Sequence, residues 1–205
     1  MTIRLHRGDL PNLSAYQGAV AIDTETMGLD ANRDRLCVVQ LSPGNGDADV
    51  VQIAAGQSRA PNIEKLLADQ SVLKIFHYAR FDLAMLAKAF GVMAGPVYCT
   101  KIASRLTRTY TDKHGLKDLA RELLGIDLSK QQQLSDWGAD ELTDAQVAYA
   151  ATDVLHLHAL REKLDAMLAR ENRSELAGGC FRFLPDRARL DLAGWAAEDI
   201  FSHSV

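Results

Sequence analysis

Residues 19–29 read AVAIDTETMGL. The stretch AVAID is short, apolar and bounded by polar residues, which describes a buried β-strand running to its carboxyl end. Side chains two apart on a strand point to one face, so Asp23 and Glu25 project side by side. Two oxygen donors placed in this way can share one metal ion. The fold follows from asking what surrounds such a strand.

Outward from it, residues 2–6, 36–41, 48–53 and 72–76 also read as strands, with DANRDR (30–35) as a turn and a helix opening near Pro61 and Asn62. Beyond residue 76 the apolar period changes to three and four. Helices are expected over ARFDLAMLAKAF (79–90), IASRLTRTY (102–110), LKDLARELLG (116–125) and one long run from Asp144 to Glu171, with Gly91 and Gly125 as C-terminal stops. Strands first and helices later predict an α/β domain with a mixed central sheet, the early strands in a meander and helices on the faces.

A chain of 205 residues with 47% hydrophobic content fits one globular domain, here residues 1–170, followed by a C-terminal helical extension at 171–205. The extension carries Phe181, Phe183, Trp195, Ile200 and Phe201. It reads equally as a core-covering helix or as a subunit contact. A net charge of −4 argues against a protein whose main work is gripping long nucleic acid non-specifically, because that binding rests on many Lys and Arg contacts to phosphate. Cys37, Cys99 and Cys180 are odd in number and widely spaced, which argues for a reducing compartment and against a zinc site. With no apolar leader and no long uncharged apolar run, a soluble, cytoplasmic protein is expected.

Three further residues complete a chemical set with Asp23 and Glu25. Asp82 lies near the start of the 79–90 helix, and Tyr149 and Asp153 are four apart, so a helix stacks them on one face. Clustered carboxylates resist joint ionisation unless cations neutralise them. All-oxygen donors favour Mg²⁺ or Mn²⁺, and two such ions roughly 3.5–4 Å apart can clamp the attacking and leaving oxygens of an in-line displacement at phosphorus. The expected reaction is phosphodiester hydrolysis. Tyr149, a phenol with a reference pKa of about 10, would orient the nucleophilic water or act directly as its base. Each feature alone has an ordinary structural explanation, such as a helix-dipole charge or a solvated face. Their joint occurrence in the order strand, helix, helix favours catalysis.

This set resembles the DEDD superfamily of 3′–5′ exonucleases, on the ribonuclease-H-like (DnaQ-like) fold, in the branch with tyrosine in the third motif. Asp23 and Glu25 match the first motif, Asp82 the second, and Tyr149 to Asp153 the third. The histidine branch would place His where Ala148 stands. LCVVQLS (36–42), HGLKDLARELLG (114–125) and SKQQQLSDW (129–137) extend the likeness to ribonuclease D catalytic domains. The tail CFRFLP, LDLAGW and DIF is similar to the short stand-alone nano-RNase C type.

That resemblance implies two divalent ions held by Asp23, Glu25, Asp82 and Asp153. It also implies short RNA, especially dinucleotides, as substrate, and a homo-oligomer, an octamer in that family. The alternatives are a ribonuclease D-like exonuclease on longer RNA or DNA, and a catalytically silent RNA-binding scaffold on the same fold, which the full set of acids disfavours. Glu25 and the backbone groups after it, including Thr26 and Met27, would meet the 3′-terminal nucleotide, and Leu29 would wedge against the bases. Cys99 and Met27 depart from the usual residues of ribonuclease D relatives, which bears on substrate fit and leaves catalysis intact. Lys101, Arg105 and Arg108 open the densest basic stretch and read either as phosphate contacts or as a solvated face. His77 reads as a site residue or a helix cap, Gln40 as a site residue, and Trp137 mainly as a burial anchor. His156 and His158 read as packing or surface residues.

Overall fold

The computed structural model describes residues 1–129, 131–132 and 134–203; Lys130 and Gln133 of the SKQQQLSDW segment lie outside them. Six strands form one mixed sheet: β1 (Ile3–Arg7), β2 (Ala19–Thr26), β3 (Leu36–Ser42), β4 (Ala48–Gln52), β5 (Leu73–Phe76) and β6 (Val97–Cys99), in the order β1-β4-β3-β2-β5-β6. Strands β2, β3 and β4 run antiparallel as a meander, while β1 pairs parallel with β4 and β5 and β6 extend the sheet parallel to β2. The meander therefore omits β1, which forms an edge. β6 has no counterpart among the strands expected from sequence, because three residues are too few to show a period.

The helices are α1 (Pro61–Ala68), α2 (Ala79–Phe90), α3 (Thr100–Thr107), α4 (Leu116–Leu119), α5 (Asp144–Leu155), α6 (Leu157–Arg170) and α7 (Ser174–Leu190), with π-helical turns at Ala120–Leu124 and Asp191–Trp195. The single helix expected over 144–171 is two, broken at His156, and nothing local announces the break because neither Gly nor Pro stands there. Gly91 and Gly125 do end their helices, both at a φ of 70°, where a glycine meets no steric cost.

Alternation along β2 divides the interior. Val20 and Ile22 join one buried cluster with Leu83 and Leu86 of α2 and Leu184 of α7. Ala21 joins the other with Ala150 and Val154 of α5 and Leu160 and Leu164 of α6. Each fully buried Leu, Ile or Phe stabilises the fold by roughly 1.5–3 kcal/mol. All of β3, LCVVQLS, is buried, as befits a strand covered on both faces. Of the two readings of 171–205, α7 takes the covering one, with Leu184 and Ala188 in the core, whereas Trp195, Ile200 and Phe201 remain exposed.

Candidate active site

The end of β2 positions the site. Asp23 and Glu25 share the face of Ala21 and meet α5, where Thr143 and Gln146 form a reciprocal capping box that starts the helix one and a half turns before Tyr149. One oxygen each from Asp23, Glu25 and Asp153 lie within 4.8 Å of one another. Thr24, pointing the other way, donates its hydroxyl to Asp82 Oδ1 at 2.7 Å from the opposite face. Directly across from Asp23 on β3, buried Gln40 places its amide nitrogen 3.5 Å from Asp23 Oδ2. Tyr149 sits beside Trp137, ring centroids 6.1 Å apart, and Trp137 is buried as an anchor.

Without cations these acids repel each other in a buried place. Burial, then Asp82, Asp153 and Glu25, raises the Asp23 pKa well above the carboxylate range. Burial, then Asp153 and Asp82, pushes Glu25 up to about 9. Burial raises Asp82 and Asp153 in the same direction. Tyr149 is raised by burial first and then by Asp153, Glu25 and Asp23, so its phenol keeps its proton at neutral pH. A hard, all-oxygen donor set at this spacing fits divalent cations that neutralise the carboxylates.

Asp23, Glu25, Asp82, Tyr149 and Asp153 all line one pocket of about 350 Å³. Thr26, Leu29, His77 and Lys101 line it as well. His77 Nδ1 lies 2.8 Å from the Thr100 hydroxyl, and burial lowers its pKa to about 3, so the ring is neutral. It makes no side-chain cap to α2.

Three expected substrate residues stand apart. Met27 lies outside the pocket, its thioether where a side chain at Gly138 would have to go. Arg105 is exposed and does not line the pocket. Arg108 is fully buried; it pairs with Glu122 and donates to Ser104 Oγ at 3.0 Å and to the Lys113 carbonyl at 2.6 Å. Its guanidinium is spent on Glu122 and the 109–115 loop and has nothing to offer a substrate phosphate. That loop leads into α4, whose Leu116 and Lys117 line the pocket wall. Thr24, Tyr78 and Phe81 were not foreseen. Thr24 was legible as the odd residue between two acids, and Tyr78 and Phe81 as the aromatic neighbours of Asp82.

The family model for 3′–5′ exonucleases matches residues 10–169. The chain belongs to that family. At finer grain it is similar to Brucella melitensis NrnC with bound Mg²⁺, at 62% identity and a TM-score of 0.97 over 100% of both chains. NrnC bound to pGG gives 63% identity, the same TM-score and the same coverage. The ribonuclease D of Acidiphilium cryptum is 37% identical over 159 residues, 78% of this chain and 40% of that protein. The chain thus spans about two fifths of the length of the ribonuclease D relatives it matches. The ribonuclease-H-like fold expected from the motifs is the fold observed.

Proposed function

We propose that the chain is a metal-dependent 3′–5′ exoribonuclease that hydrolyses very short RNA, dinucleotides foremost, to 5′-mononucleotides in the cytoplasm. The observation that carries this reading is the convergence of Asp23, Glu25 and Asp153 within 4.8 Å beside Asp82 and Tyr149 in one pocket. The likeness to NrnC bound to pGG supports a short substrate, and so does the chain's negative charge.

Asp23, Glu25 and Asp153 would hold one Mg²⁺ or Mn²⁺, and Asp23 with Asp82 the other. When bound, the ions would supply charge neutralisation and a clamp on the attacking and leaving oxygens. The chain's own groups do the rest. Thr24 holds Asp82 and Gln40 faces Asp23, so the carboxylates are oriented before substrate arrives. Tyr149, braced by Trp137 and protonated in the metal-free site, would orient the attacking water by a hydrogen bond. Water adds at phosphorus and gives up a proton to solvent, the P–O3′ bond breaks, the 3′-oxygen of the preceding nucleotide takes up a proton as it leaves, and a 5′-mononucleotide is released. Leu29 is 89% exposed at the pocket rim, where it can meet bases, and Lys101 and Lys117 offer positive charge to phosphate.

Labelled oligonucleotides of graded length, RNA and DNA, incubated with the protein and Mg²⁺ test the reading. Fastest mononucleotide release from RNA dinucleotides is expected. A preference for long chains would instead favour the broader ribonuclease D-like activity. We further propose that residues 171–205, an extension of a catalytic domain at 1–170, form a contact between copies in a homo-oligomer, through exposed Leu176, Trp195, Ile200 and Phe201.

A further inference from the structure

Leu29, Tyr78 and Phe81 line both the reactive pocket and a second cavity of about 420 Å³ behind it. They form a partition with open space on either side. Packing alone does not fix such a wall: Leu29 is 89% exposed and Tyr78 47% exposed. Tyr78, at the root of α2, also has a φ of 72°, a left-handed conformation that persists in a non-glycine residue only where its surroundings hold it.

What holds the wall is a set of tethers that meet at Asp191, just after α7. Arg80 Nε and Nη2 donate to the Asp191 carboxylate at 2.5 and 2.7 Å, and Arg80 Nη2 also reaches the Ala196 carbonyl at 2.7 Å. Arg187 Nε and Nη2 donate to Asp191 Oδ1 at 3.0 and 2.5 Å. From the Leu29 loop, Asn32 Nδ2 donates to the Asp191 carbonyl at 3.2 Å. Asp191 is 7% exposed. Asp191 thus joins the start of α2 and the C-terminal segment through its carboxylate, and the Leu29 loop through its main-chain carbonyl. Without its charge, two guanidinium groups would face each other uncompensated.

We infer that Asp191 is a positioning residue for substrate binding, setting the partition of Leu29, Tyr78 and Phe81 through Arg80 and Asn32. This rests on the exoribonuclease reading for its kinetic consequence, though not for the linkage itself. Asp191 lies outside the acid cluster, so its loss acts on binding and leaves the chemical step in place.

The test compares full-length wild type with Asp191→Asn and with Asn32→Ala, which removes one tether at an exposed residue and leaves the core untouched; Arg189→Ala, near the end of α7, is the control. With pGG and Mg²⁺, KM should rise roughly tenfold in Asp191→Asn and less in Asn32→Ala, with kcat within about twofold of wild type. Mg²⁺ affinity by calorimetry should not change. Amide hydrogen exchange should quicken across residues 78–82 in Asp191→Asn and across 27–35 in Asn32→Ala, and stay constant in β3. Unchanged KM, or a fall in kcat with weakened Mg²⁺ binding, would overturn the assignment. If wild type fails to cleave pGG, the functional reading fails, and the exchange data alone decide: unchanged protection of 27–35 and 78–82 removes the linkage.

Discussion

Asp23 stands between three other acids, so its carboxylate costs the metal-free fold stability even as it serves the site. Asp23→Asn should lower turnover by about a thousandfold or more while the melting temperature holds or rises, checked by single-turnover assay and calorimetry. Tyr149→Phe keeps the ring against Trp137 and removes only the hydroxyl. An orienting phenol predicts a kcat loss of about a hundredfold with little change in KM, while the rise of activity with pH on the acid side is kept. Removing a base would abolish that rise. Glu25 supplies the pH test. Its folded pKa, about 9 against an ordinary 4.5, means that the fold retains a proton the unfolded chain releases between those values. Its contribution is therefore full below about pH 4.5, declines as pH rises, and is gone above about pH 9. Melting of metal-free protein should fall across that window, and added Mg²⁺ should raise it most at the alkaline end.

Helix α5 carries two of the five chemical residues, and its register depends on where it starts. Thr143→Ala removes the capping box and should cost about 1 kcal/mol, seen as a lower denaturation midpoint with an unchanged slope. Legibility at this scale followed the length of the pattern. α2 begins and ends where its apolar spacing and Gly91 place it, and the acids and tyrosine were readable because strand period and helix period each set two of them on one face. β6 was too short to read, and the break at His156 arises where α6 turns to pack its own leucines, a tertiary demand that leaves no local mark. Arg108 misled for a related reason: basic residues in a row look alike in sequence, and only the fold shows that this one faces inward to Glu122.

At the level of the whole molecule, α7 seals the core while the segment after it leaves Trp195 and Phe201 at 44% and 75% exposure. Such a surface predicts self-association. Phe201→Glu together with Trp195→Glu should shift the mass measured by light scattering toward the monomer; a mass unchanged from wild type would place the contact elsewhere. The alternation of β2, with acids toward α5 and Thr24 toward α2, carries a different sort of consequence. A two-state ratchet of this kind accepts many letters and no change of spelling length. Removing a single codon between Ala19 and Ile22 would turn both acids toward α2 and Thr24 toward α5, inverting the site in one step. Library selections should therefore find the apolar positions of β2 open to conservative exchange and the strand closed to every single-residue insertion or deletion.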